Sequence, residues 1–171
     1  MYERRYGEKY NQLGGYQSAA EIAKLMRGDI KDLIAKGELP GKAANYSVRV
    51  HNYSGGRAIY IEARDLDGLW ETCDGIKRGS KHEFEGGGFV ATSCNNYAHD
   101  HGESHERLSE EGDRIQSILE KVHRAYNYDG SEVMVDYFDV NYYGNASIED
   151  AWDRKWRLSQ KAKKDAKKAA A

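Results

Sequence analysis

The chain has 171 residues, 32% of them charged, with a mean hydropathy of -0.88, enough length to build a core without disulfide staples. No apolar run approaches the roughly 18 residues that a bilayer span requires, Met1-Tyr-Glu-Arg-Arg-Tyr6 lacks the apolar stretch of a signal peptide, and two cysteines, Cys73 and Cys94, make no disulfide framework. These features predict a cytoplasmic protein with reduced thiols and no membrane partner. The net charge of -2 hides an asymmetry: residues 154–171 hold eight Lys or Arg against Asp165, a balance of +7, which leaves -9 on the rest.

Residues 1–17 are polar and rich in Tyr and Gly, with no defensible period. At Ser18 the pattern changes. Ser18-Ala-Ala-Glu21 is a capping box, and Ile22, Leu25, Met26, Ile30, Leu33 and Ile34 follow at helical spacing, predicting a helix to about Lys36 that Gly37, Pro40 and Gly41 end. Residues 46–62 read as a β-hairpin about Gly55-Gly56. Pairing Asn52 with Ile59, Val50 with Ile61 and Val48 with Ala63 gathers Val48, Val50, Ile59 and Ile61 on one face. The other face then sets Arg49 opposite Glu62 and His51 opposite Tyr60. A slip by one residue would destroy both faces.

Asp67-Gly68 offers a second hairpin turn into residues 69–73. Beyond it, residues 81–84 and 89–94 suit short strands about Gly86-Gly87-Gly88, and residues 95–106 read as a polar loop. Leu108, Ile115, Ile118, Leu119, Val122 and Tyr126 stripe a second helix, which turn residues 127–130 end. Residues 132–143 read as a long inner strand, apolar on both faces. Ser147-Ile-Glu-Asp150 opens a third helix with Ile148, Trp152 and Trp156 four apart, and its stripe is lost beyond Leu158 in a Lys/Ala tail. The order α-β-β-(β)-α-β-α describes an α+β domain, helices packed on an antiparallel sheet. It runs over residues 18–157, between a polar segment, 1–17, and a basic helical tail, 158–171.

Several patterns invite chemistry. Cys94-Asn-Asn-Tyr-Ala-His99-Asp-His101-Gly-Glu103-Ser-His105 offers His99, His101 and His105, with a Cys and acids, as ligands for zinc. The spacing matches no established zinc motif, and Gly102 discourages the helix that His101-x-x-x-His105 needs, so a solvated loop and no cofactor is the plainer reading. Cys73 and Cys94, with His82 and His99 as possible bases, form no nucleophile motif. Gly86-Gly87-Gly88 lacks the Lys-Ser/Thr of a phosphate loop. Asp136 and Asp139 fall on opposite faces of one strand and make no acid–base dyad. No enzyme signature survives.

Binding is better provided for. Lys161, Lys163, Lys164, Lys167 and Lys168 can track a nucleic-acid backbone, or simply solvate a helix end. Arg49, His51, Tyr53, Arg57 and Tyr60 form a basic-aromatic group on the hairpin, suited to stacking bases or to ordinary cross-strand pairing. Thirteen Tyr against three Phe suit a contact surface or sheets with one wet face.

Two sets of segments carry a family resemblance. One is Ser18-Ala-Ala-Glu-Ile-Ala-Lys-Leu-Met-Arg27 with Tyr46-Ser-Val-Arg49 and Tyr53-Ser-Gly-Gly56. The other is Tyr126-Asn-Tyr-Asp-Gly-Ser131 with Asp136-Tyr-Phe-Asp-Val-Asn-Tyr-Tyr-Gly144. Together they resemble the large-polyvalent-protein-associated domains, the twenty-ninth of that numbered series, found in proteins of bacteriophages and conjugative elements. The likeness spans roughly residues 18–144. A Trp and a Gly-Pro of that pattern are replaced here by Ala63-Arg-Asp-Leu-Asp-Gly68. The resemblance implies a compact α+β module in a bacterial host cell and supplies no catalytic residue. It points to a non-enzymatic accessory protein that binds a host macromolecule, first a nucleic-acid-handling host protein docked on the acidic body. The alternatives are direct nucleic-acid binding and a metal-dependent enzyme using the His99–His105 loop.

Overall fold

A computed structural model describes residues 4–73, 105–131 and 139–169, which form an α+β fold. The chain divides into two compact units. One joins Met1–Leu66 to Gln116–Ala171, and the other is Asp67–Ile115, inserted between those two stretches.

In the first unit, helix α1 spans Ala19–Ala35, as its sequence predicts. The Ser18 hydroxyl accepts from the Glu21 amide while the Glu21 carboxylate accepts from the Ser18 amide at 2.8 Å, the reciprocal bonds of a capping box. Ile22, Ala23, Met26 and Ile30 are buried, whereas Leu25 of the predicted stripe is 42% exposed. The strands β2 (Tyr46–Tyr53) and β3 (Gly56–Ala63) form the expected hairpin. Val48, Ile59 and Ile61 are buried, each such side chain stabilising by about 2 kcal/mol.

The hairpin register differs from the predicted one by two residues. Val48 faces Ile61, Val50 faces Ile59, Arg49 faces Tyr60 and His51 faces Ala58. The loop is Ser54-Gly55, with a positive φ (86°) only at Gly55, the second loop position, where a type II turn reserves a place for glycine. A two-residue displacement preserves the alternation, so Val48, Val50, Ile59 and Ile61 keep their predicted face and Arg49, His51 and Tyr60 keep theirs. Arg49 still reaches Glu62, at 3.1 Å, as a diagonal neighbour.

The far edge of β3 is taken by residues arriving from much later in the chain. Tyr143 and Asn145 accept from the amides of Ile59 and Ile61, and β7 (Ala146–Ile148) runs parallel to β3. Ser147 and Ile148 therefore lie in or at the end of a strand, not in the third helix. A Cβ at Gly144 would come within 1.9 Å of the Ile59 carbonyl oxygen, so only glycine permits this approach. Residues 139–143 do not form the predicted long strand. Among them Val140 bridges Asp129 and Tyr143 bridges Ala58 singly, while 132–138 lie outside the described residues.

Helix α2 spans Glu110–Ala125. Its later turns belong to this unit, where Leu119 and Val122 are buried. Gln116 donates to the Ala146 carbonyl at 2.7 Å, and the buried His123 bonds the Ile59 carbonyl through Nε2 at 2.9 Å. A carbonyl can only accept, so Nε2–H is the donor, and burial holds the His123 pKa below its ordinary value against the opposing effect of that bond. The polar N-terminus contributes a strand that its sequence does not announce: β1 (Arg5–Tyr6) pairs antiparallel with β6 (Tyr128–Asp129). Tyr6, Tyr10 and Tyr128 cluster there.

In the second unit, β4 (Trp70–Cys73) pairs antiparallel with β5 (His105–Leu108), not with β3 across Asp67-Gly68 as predicted. His105 and Glu106 are thus strand residues, where the sequence suggested a loop, because Leu108 opposite Trp70 and an Arg107–Glu71 ion pair at 2.7 Å reward pairing. Leu108 precedes α2, which Ser109 caps by accepting from the Gly112 amide at 3.1 Å. The predicted strands at 81–84 and 89–94 lie outside the described residues.

Candidate binding surfaces

Helix α3 (Ala151–Ala169) begins where Asp150 Oδ1 accepts from the Asp153 amide at 2.7 Å. None of its described side chains is buried, so the apolar periodicity that stabilises an ordinary surface helix is missing here. Its base is held by charge instead. Glu149, 6% exposed, follows β7 directly and receives two hydrogen bonds from the Arg157 guanidinium. Arg157 also reaches Asp65 Oδ1 at 2.7 Å, and Arg154, one turn earlier, donates to the Leu66 carbonyl at 3.1 Å. Burial pushes the Glu149 carboxyl up, but the hydrogen bond and charge of Arg157 outweigh it and hold the pKa below the usual range. Asp65 adopts a left-handed backbone conformation (φ 53°), which Asp tolerates better than most residues.

At 100° per residue, Arg154 and Arg157 fix which side of α3 faces the body and which is free. Lys161, Lys164 and Lys168 continue the arginine side. Trp152, Trp156, Lys163 and Lys167 fall within an arc of about 60° on the other. Trp152 is 69% exposed and Trp156 56%, and all five lysines are exposed. The tryptophans are therefore not the core stripe that their spacing from Ile148 suggested: Ile148 is a strand residue, and Asp150 starts the helix after it. Their periodicity with Lys163 and Lys167 is visible in the sequence. Which side of the helix is anchored is not, because that depends on Glu149 and on Asp65, nearly a hundred residues upstream.

The hairpin group divides. Arg49, His51, Tyr53 and Tyr60 share one face and are exposed, with the His51 and Tyr53 rings 5.7 Å apart. Arg57 belongs to the opposite face, with Ile59 and Ile61. Its guanidinium donates to the Gln17 carbonyl and to both the carbonyl and Oδ1 of Asn141, so it is a structural clamp and leaves the predicted patch.

Of the proposed metal cluster only His105 falls within the described residues, on β5; His99, His101, Glu103 and Cys94 lie outside them, as do His82, Gly86-Gly87-Gly88 and Asp136. Among the described residues no group of three or more His, Cys, Asp or Glu is placed to hold a metal ion. Asp139 is paired with Arg4 at 2.8 Å. No helix of the described residues is long and apolar enough to cross a membrane. No family model, curated protein or solved structure matches the chain.

Proposed function

We propose that this is a non-enzymatic accessory protein of a bacteriophage or conjugative element that acts in the host cytoplasm by binding nucleic acid through α3. The observation that carries this reading is the stripe of Trp152, Trp156, Lys163 and Lys167 on the free side of an anchored helix. Exposed indoles supply stacking faces for bases, and lysines in line with them neutralise phosphates. The mobile-element setting is supported by the resemblance of residues 18–144 to the large-polyvalent-protein-associated domains. Fluorescence anisotropy of a labelled oligonucleotide, titrated at several salt concentrations, tests the reading. Lys163→Glu with Lys167→Glu is expected to weaken binding at least tenfold and to reduce the salt slope by about 2. Binding unaffected by that pair, or by removal of residues 158–171, would overturn it.

A second reading has its own observation, the exposed face of Arg49, His51, Tyr53 and Tyr60. Tyr and Arg are enriched where proteins dock, and on that ground this face is proposed to receive a host protein. Capture of a single host protein by the wild type and its loss with Tyr53→Ala and Tyr60→Ala, without loss of oligonucleotide binding, would favour this second reading.

A further inference from the structure

A cleft of about 770 Å³ lies in the first unit, bounded by the segment entering α1, the tip of the β2–β3 hairpin, Tyr128 and residues 139–143. That volume falls in the range of roughly 300–1,000 Å³ typical of small-molecule sites. Four of its lining residues are tyrosines: Tyr10, Tyr16, Tyr128 and Tyr143. Its charged lining residues are Arg57 and Asp139, whose charges cancel. Both are already engaged, Arg57 by Gln17 and Asn141 and Asp139 by Arg4. Among the described residues the cleft therefore presents no spare cation to a phosphate or carboxylate, which favours a neutral ligand.

Two rings are left open. Tyr16 is 86% exposed and Tyr143 42%. The Arg57 guanidinium sits 4.8 Å from the centroid of the Tyr16 ring, a cation–π contact on a ring that otherwise stands in solvent. A ring so exposed offers a stacking surface to a second planar group. Asn52, exposed and lining the same cleft, offers an amide donor and an acceptor to the edge of such a group. We infer that this cleft binds the base of a nucleoside, stacked on Tyr16 and Tyr143 and read at its edge by Asn52. The inference stands apart from the α3 reading, because no α3 residue lines the cleft.

Ligand-observed NMR titration of the full chain with free adenosine, guanosine, cytidine and uridine tests it without involving phosphate. Saturable binding of at least one nucleoside is expected, and Tyr16→Ala or Tyr143→Ala, both at exposed positions, should each weaken it about fivefold or more. Asn52→Ala should change the preference among the four bases. Ribose 5-phosphate, which has the sugar and a phosphate but no base, should not bind. Lys163→Glu with Lys167→Glu should leave nucleoside binding unchanged, so failure of the α3 reading would not be mistaken for failure of this one. The inference is overturned if no nucleoside binds up to its solubility limit, if ribose 5-phosphate binds as well, or if the Tyr16→Ala, Tyr143→Ala double variant binds like the wild type.

Discussion

Helices α1 and α3 have similar lengths, 17 and 19 residues, and are held in opposite ways. Helix α1 buries Ile22, Met26 and Ile30 against the β2–β3 hairpin and closes its N-terminus with a capping box. Helix α3 buries no described side chain and is fastened by two arginines to Glu149, Asp65 and the Leu66 carbonyl. Hydrophobic contact is indifferent to angle, whereas a bidentate guanidinium–carboxylate pair sets a direction. The core thus settles where α1 lies, and the ion cluster settles which side of α3 is offered to solvent.

Truncation in the core should separate the two helices most sharply. Met26→Ala, at a fully buried α1 position, is expected to cost 2–5 kcal/mol of unfolding free energy in a denaturant titration; a loss below about 1 kcal/mol would mean that α1 is not held as described. Glu149→Ala should cost about 2 kcal/mol and act locally, by leaving Asp65 as the carboxylate that holds Arg157. Amide exchange is expected to accelerate across the first turns of α3 and to stay slow in α1. The same release should follow acidification. The Glu149 pKa is lowered in the folded state, so its contribution is full above the ordinary value of 4.5 and is lost as pH falls through the lowered one.

Ser18→Ala removes half of the capping box and should cost about 1 kcal/mol, read as a fall in Tm, with no change at α3. The gentlest effect is expected from His123. Its folded pKa lies below the ordinary 6.5, so the unfolded chain takes up protons first as pH drops. Stability should be level with respect to this group above pH 6.5 and decline below it. His123→Gln should flatten that decline, and a slope unchanged in the variant would assign it elsewhere.

The features legible in the sequence are those decided by near neighbours. Ser18, Glu21 and the stripe from Ile22 to Ile30 lie within a few turns of one another and define α1 without further help. The hairpin's faces follow from alternation alone. Its register does not, since Tyr53-Ser-Gly-Gly56 accommodates a loop at Ser54-Gly55 or at Gly55-Gly56, and the choice rests on the turn's dihedral angles. The parallel pairing of β7 with β3, the pairing of β4 with β5 and the β1–β6 ribbon join distant segments and leave no local trace. The two tryptophans show the same limit in the binding surface. A four-residue spacing says that Trp152 and Trp156 share a side, and only the pairing of Arg157 with Glu149 and the distant Asp65 says that this side is outward.

The parallel partnership of β3 also has a bearing on synthesis. Ile61 leaves the ribosome long before its partner Ala146, 85 residues later. At synthesis rates of about 5–20 residues per second, the nascent hairpin waits roughly 4–17 seconds with one edge bare. That edge carries Ile59 and Ile61 and is the kind of template that recruits stray strands. Slower elongation over the inserted unit should therefore lower the soluble yield of the intact chain.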